Sequence, residues 1–252
     1  MSEAGRRIRI ATYNIHKCRG LDRQTSPSRI AKIIRLLDAD IVALQEVLDV
    51  HRGKPEYDQA RTLADELSDY RWTFGENRQL HGGAYGNMTL SRWPAEFSQN
   101  YDITWHRRER RGCLRTDFHL GADTVLHVFN VHLGTSFVER RHQARNLIGP
   151  DVLNTNDFAG PRVVVGDFNE WTRGLASRLM GAAFRVAEPR SFLRYRRTYP
   201  GIFPVLHLDH FYYDASLSLV RVHLHRSRTA LVASDHLPLV ADFKLAAGAD
   251  ES

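Results

Sequence analysis

Val163-Val164-Val165-Gly166-Asp167-Phe168-Asn169 is the stretch on which the reading of the fold turns. Three β-branched residues in a row suit a short strand buried on both faces. The glycine would let the backbone turn tightly after it, and Asp167 and Asn169 then stand at the strand's end. The same pattern, an apolar strand closing on Asn, Asp, Glu or His, recurs along the chain. Residues 7–13 alternate, with Ile8, Ile10 and Thr12 on one face, and run into Asn14-Ile15-His16. The apolar stretch 41–44 ends in Gln45-Glu46, and 124–132 closes on Asn130-Val131-His132. Asp209 sits inside the strand candidate 206–213, and Ser234-Asp235-His236 precedes a final one at 238–245. Strands that bury their bodies and finish in polar residues bring those residues to one rim, which is how a rigid scaffold presents a site.

Further strand candidates are residues 87–91, 114–120 and 217–225. Helix signals stand between them. Ser26 can cap, Pro27 suits a first turn, and Ile30, Ile33, Ile34 and Leu37 repeat at helical spacing. Tyr57, Ala60, Leu63, Ala64 and Leu67 mark a second helix, and residues 137–153 a third. Residues 51–57 and 99–112 read as short charged loops. Helices and strands mix without strict βαβ alternation, which favours an α+β layered sandwich over a doubly wound sheet. No repeat or linker divides the 252 residues, so a single domain over 1–252, with its core at about 8–245, is expected.

Hydrophobic residues make up 42% and charged residues 25%, ordinary for a globular protein. A formal charge of +6 favours polyanionic partners. Cys18 and Cys113 form neither a disulfide framework nor a metal-ligand cluster. The first residues carry no apolar stretch of signal-peptide length. No run approaches the roughly 18 apolar residues of a membrane span. A cytoplasmic protein without stable membrane insertion is the expectation; no oligomeric partner is indicated.

The residue types at the strand ends suit phosphate-ester hydrolysis. Such a catalyst must neutralise anionic oxygens, position a water and manage protons. Glu46, Asp235 and the amide oxygen of Asn14 are hard donors suited to Mg²⁺ or Mn²⁺. No CxxC or HExxH motif points to zinc. Asp167 could orient or deprotonate the water, and Asn169 could donate to a phosphate oxygen. Asp209 could fix the tautomer of His236, and Glu109 could do so for His132.

With the motifs taken in order, the sequence resembles the endonuclease/exonuclease/phosphatase (DNase I-like) superfamily, and small bacterial stand-alone members in particular. The resemblance runs from Thr12 to about Phe243. It is carried by TYNIH (12–16), LQE (44–46), GNMTLSR (86–92), ERRGCLR (109–115), NVHLG (130–134), GDFN (166–169), LDH (208–210) and SDHLPL (234–239). It implies a four-layer α/β/β/α sandwich, two packed mixed β-sheets flanked by helices. It implies Mg²⁺ or Mn²⁺ at Glu46 with Asn14 and Asp235 nearby. Catalytic roles fall to His132, Asp167, Asn169, Asp209, His236 and Glu109, and substrate contacts to Asn87 and Arg111. The chain departs from particular branches: it lacks the secreted nucleases' disulfides, carries His132 where abasic-site endonucleases place a tyrosine, and has Glu170-Trp171 after Asn169 instead of the arginine of inositol-polyphosphate phosphatases.

Arginines at 107, 108, 110 and 111, and at 190, 194, 196 and 197, could hold flanking phosphates. Trp171, Trp105 and Tyr199 could stack on bases, Trp171 being best placed. Arg141 and Arg145 share one face of the third helix. The leading reading is a metal-dependent phosphodiesterase with nucleic acid slightly favoured. The alternatives are a phosphatase or phosphodiesterase of a phospholipid or small phosphorylated metabolite, and a non-catalytic binding protein that keeps the fold. Two substitutions test the site assignment. Glu46→Gln is expected to weaken the dependence of rate on metal concentration. Asp167→Asn is expected to lower kcat by roughly 100- to 10,000-fold. Wild-type steady-state rates in both variants would refute it.

Overall fold

Alternation along β1 (Arg7–Asn14) sets the plan of the molecule. Ile8 and Ile10 belong to a core cluster with Phe118, Leu126, Val163 and Phe211, whereas Ala11 and Tyr13 belong to a second one with Ile30, Ile33 and Ile34. A strand buried on both faces needs a layer on each side, here a second sheet and a helix. The computed structural model describes residues 6–50, 54, 56–121, 124–154, 158, 160–171, 174–187, 198–200 and 206–245.

The first sheet joins β1 to β2 (Ile41–Asp49), β3 (Arg71–Leu80), β4 (Gly83–Ser91), β11 (Leu217–Leu224) and β12 (Leu239–Leu245) in the order β11-β12-β1-β2-β4-β3. The second joins β5 (Phe97–Asp102), β6 (Gly112–His119), β7 (Val125–His132), β8 (Arg162–Asp167), β9 (Arg185–Val186) and β10 (Asp209–Tyr213) in the order β5-β6-β7-β8-β10-β9. Each sheet contains one parallel pair, β1 with β2 and β7 with β8. The helices α1 (Pro27–Leu37) and α2 (Gln59–Glu66) cover the first sheet, and α3 (Phe137–Leu147) and α4 (Leu175–Ala183) the second. The molecule is therefore the α/β/β/α sandwich expected, two mixed sheets flanked by helices.

Local chemistry accounts for the elements. The Ser26 hydroxyl accepts the Arg29 N–H at 3.3 Å, Pro27 opens α1, and Asp38 at φ 46° ends it. Ile30, Ile33, Ile34 and Leu37 are buried against the sheet, each contributing about 1.5–3 kcal/mol of transfer free energy. The third helix stops at Leu147 rather than 153, because Gly149-Pro150 cannot extend it. Three strands escape the sequence reading, one of them the two-residue β9. β3 and β5 are edge strands rich in polar and exposed residues, and the start of the expected loop 99–112 belongs to β5. Gly166 also differs from expectation. It lies inside β8 at φ 144°, and a Cβ there would stand 2.0 Å from the Val131 carbonyl oxygen of β7. Close strand approach, not a turn, requires the glycine.

Parity along the strands decides where the inner layer turns polar. Ile8 and Ile10 are followed by Thr12 and Asn14, Ile41 and Ala43 by Gln45, Leu126 and Val128 by Asn130 and His132, and Val163 and Val165 by Asp167. At the boundary the Asn130 amide donates to Leu44 O (3.0 Å) and Met88 O (3.1 Å) and accepts from Gln45 Nε2 (2.8 Å). Asn87 donates back across the gap to Gly112 O (3.2 Å) and Asn130 O (3.1 Å). Asn130→Ala removes three of these bonds and leaves buried partners unmatched. It is expected to cost about 3 kcal/mol and to lower Tm by roughly 6–12 °C, as read by calorimetry. A Tm within about 2 °C of wild type would remove this role from Asn130.

Candidate active site

The polar ends of both sheets meet at Asp167, the last residue of β8 and fully buried. Its Oδ1 accepts the Asn169 N–H at 2.8 Å, and its Oδ2 accepts Asn14 Nδ2 at 3.0 Å. Two imidazoles flank the same Oδ2, with His132 Nε2 at 3.7 Å and His236 Nε2 at 3.6 Å. His132 ends β7, beside Asp167 in the parallel register. His236 lies ahead of β12, where the Ser234 hydroxyl accepts its N–H at 3.3 Å and itself donates to Asn14 O at 2.8 Å.

The two histidines are tuned in opposite directions. His236 Nδ1 lies 2.9 Å from Asp209 Oδ2. Burial alone would strip its proton, but the Asp209 and Asp167 charges and the Asp209 hydrogen bond outweigh this and raise its pKa to about 10. His132 is driven well below its ordinary value by burial and by Arg111, whose Nη1 lies 3.0 Å from His132 Nδ1. Burial, reinforced by Asp209, lifts Asp167 well above the usual carboxylate range, against the pull of His236 and Asn14.

Glu46 reaches this centre by a backbone irregularity. By parity it would share the outer face with Leu44. The β2–β4 register slips between Leu44 and Val47, and Glu46 adopts φ 60°. Its Oε1 accepts Asn14 Nδ2 at 3.1 Å and its Oε2 accepts Lys17 Nζ at 2.7 Å. Burial resists the charge, but His132, Lys17 and Asn14 together hold the carboxyl well below the usual range.

The structure sorts the residues singled out from sequence. Asn14, Glu46, Asp167, His132, His236 and Asp209 share one hydrogen-bonded and charge-paired constellation. Asn169, at φ 50°, donates its amide to Leu133 O at 2.9 Å on the same rim. The Asn14 oxygen, expected as a hard donor, accepts the His16 N–H at 3.0 Å, because two carboxylates draw the amide nitrogen toward them. Asp235 lies 3.5 Å from His16 Nδ1. Glu109 does not touch His132. Arg111 stands between them, donating to Glu109 at 3.0 Å, and Arg78 holds the other Glu109 oxygen at 2.9 Å. Asn87, expected to meet substrate, is fully buried between the sheets. Trp171 is 63% exposed, whereas Trp105 stacks on His142 with ring centroids 4.9 Å apart. Arg107, Arg108 and Arg110 are exposed and Arg111 is buried. Arg141 and Arg145 are exposed, and Arg190, Arg194, Arg196 and Arg197 lie outside the described residues.

Sequence reasoning left Lys17 without a role although it follows the Asn14-Ile15-His16 motif, and treated Tyr199 only as a stacker. The Tyr199 ring lies 5.0 Å from that of His236 and is raised in pKa by burial and by Asp235 and Asp167, so it borders the site. Nothing in the local sequence marks a tyrosine so far from the motifs.

Comparison with known proteins places this geometry. Residues 11–236 match the Endonuclease/Exonuclease/phosphatase family, and the chain belongs to it. Members of that family are generally phosphoester hydrolases and typically use divalent metal ions. The chain is 31% identical over 247 residues to the uncharacterized protein YbhP of Escherichia coli (strain K12), covering 94% of this chain and 96% of that one. A functionally unknown conserved protein from Enterococcus faecalis has the same fold with a TM-score of 0.78 at 20% identity, over 94% of this chain and 100% of that one. The mannosyl-6-phosphatase of Bacteroides thetaiotaomicron has it with a TM-score of 0.75 at 16% identity, over 94% and 99%.

The raised His236 pKa carries a pH signature. A group whose folded pKa exceeds its unfolded value of 6.5 contributes stability in full below pH 6.5 and loses it as pH rises through about 10. The stability gap between wild type and His236→Gln is expected to be widest near pH 6.5 and to close toward about pH 10. Urea unfolding across that range checks this; a gap independent of pH would contradict it.

Proposed function

We propose that the chain is a Mg²⁺- or Mn²⁺-dependent phosphodiesterase, with nucleic acid the favoured substrate. The observation that carries the reading is one buried carboxylate, Asp167, between a neutral and a protonated imidazole at 3.7 and 3.6 Å. Environments that push titratable neighbours apart in pKa mark acid and base roles. Family membership and the hydrolase class stand behind it. The charge of +6, the exposed Arg107, Arg108 and Arg110, and the exposed Trp171 favour a polyanion with stacking bases.

The donor set fits a hard divalent ion. Glu46 is ionised despite burial, and the Asn14 amide N–H₂ bridges it to a second carboxylate, Asp167. Among the described residues no three His, Cys, Asp or Glu side chains form a cage. That suits Mg²⁺ or Mn²⁺, since Mg²⁺ commonly takes one or two carboxylates and completes its shell with water and phosphate oxygens. Glu46 with Asp235, and Asn14 once its amide turns its oxygen toward them, would hold the ion, which when bound would polarise the phosphoryl oxygen and offset its charge.

The chain's own groups supply the rest. Asp167 Oδ2 accepts a hydrogen bond from the attacking water and takes its proton, a role its raised pKa favours. The imidazolium of His236 presents Nε2–H to a non-bridging phosphate oxygen, where negative charge grows in the transition state. Asp209 fixes that ring from behind through Nδ1. The second N–H of the Asn169 amide is left to donate to phosphate. Arg111 keeps His132 neutral, able to accept a hydrogen bond from substrate or water.

A second reading, a phosphomonoesterase of a small metabolite, draws on the fold shared with the mannosyl-6-phosphatase. A panel of plasmid, single-stranded DNA, RNA, bis(p-nitrophenyl) phosphate, p-nitrophenyl phosphate, sphingomyelin and inositol phosphates separates the two. Diester turnover is expected, lost in EDTA and restored by Mn²⁺ or Mg²⁺. Monoester turnover without diester turnover would select the second reading. Full diester activity in EDTA would remove the metal from the proposal.

A further inference from the structure

A cavity of about 410 Å³ opens beside Lys17, lined by residues that the mechanism does not use, among them Arg19, Thr25, Tyr57 and His81. Lys17 connects it to the active site, since it lines the cavity while its ammonium lies 2.7 Å from Glu46 Oε2. Whatever fills the cavity therefore meets Lys17, the side chain paired with Glu46.

The lining is basic. Lys17 and Arg19, with the ring nitrogens of His81, face one carboxylate, Glu56. Glu46 already neutralises Lys17. Arg19 is exposed, and its side chain has neither a hydrogen bond nor an ion pair with any described residue. An uncompensated guanidinium at the mouth of a cavity suits a phosphate, which it can hold bidentately. The Thr25 hydroxyl adds a donor, and the Tyr57 ring, edge-on to His81 at 6.3 Å, offers an aromatic wall. The walls are built in. Lys17 and His81 both occupy the left-handed region, at φ 56° each, and Gln59 Nε2 holds Lys17 O at 2.7 Å. Side chains kept in unfavourable backbone conformations by their surroundings cluster at functional sites.

We propose that this cavity is a subsite for a second phosphate group carried by the substrate, next to the ester that is cleaved. The proposal rests on the phosphoester-hydrolase reading of the adjoining site. It adds a preference: substrates with two phosphates are bound more tightly than those with one.

Two readouts test it. The first compares the p-nitrophenyl ester of thymidine 5′-phosphate with and without a 3′-phosphate, in the presence of Mn²⁺. Wild type is expected to show a KM about tenfold lower for the two-phosphate ester. Arg19→Ala brings the ratio toward one, and Arg19→Lys restores part of it. Turnover of both esters with equal KM in wild type overturns the subsite and leaves the hydrolase reading intact. Free inorganic phosphate acting as an effector would change the rates of both esters alike, and that result also overturns the proposal.

The second readout needs no turnover. In Asp167→Asn, titration with inorganic phosphate is expected to shift the His81 ring resonances in NMR spectra, with affinity reduced about tenfold by adding Arg19→Ala. No shift at His81, or an affinity indifferent to Arg19, overturns the subsite. If neither ester is turned over while phosphate still binds at His81, the hydrolase reading fails and the anion site stands.

Discussion

Asn130 holds two sheets at once. It donates to carbonyls of β2 and β4, accepts from Gln45, and has its own backbone oxygen taken by Asn87. Every polar atom of the Asn130 side chain has a partner, so losing any one would leave an unmatched group between the sheets at the full cost of lost hydration. The four residues Thr12, Gln45, Asn87 and Asn130 thus fix the relative position of the sheets at the level where the interior turns from apolar to polar. Everything beyond that level, from Asn14 to Asp167, inherits its position from this layer.

The site shows what such positioning permits. His132 and His236 are the same residue type, buried to the same degree and nearly equidistant from Asp167. Their neighbours alone separate them: Arg111 close to both nitrogens of one, Asp209 behind the other. A guanidinium close to both nitrogens of one ring and a carboxylate behind the other create a neutral and a cationic imidazole within reach of one oxygen. The two ion pairs of Arg78–Glu109–Arg111 extend this control outward, so the charge that governs His132 is itself anchored by residues of β3 and of the segment before β6.

Much of this was legible in the sequence because it rests on periodicity. The strand bodies at β1, β7 and β8, the Ser26 cap and the polar residues at strand ends all follow from local spacing, and the motif order carried the family. What escaped depends on tertiary placement. β3 and β5 carry polar residues that only an edge position tolerates. Asn87 reads as a rim residue in a motif, yet its strand places it between the sheets. Glu109 lies two residues from Arg111, and sequence alone cannot say which of the two meets His132. The aim of the Asn14 amide depends on which groups face it, and those come from β2 and β8.

The slip in register that turns Glu46 inward has a consequence for timing. Its direction is set by the main chain, at a residue in the left-handed region where β2 and β4 fall out of step. A side chain aimed by its rotamer alone can swing away and must be recaptured at each encounter. One aimed by the strand is committed when the sheet forms, and its conformational entropy is surrendered once, during folding. The Glu46 carboxylate is then in place from the moment the sheet forms, and what remains adjustable is the cation paired with it, the flexible Lys17 ammonium at 2.7 Å.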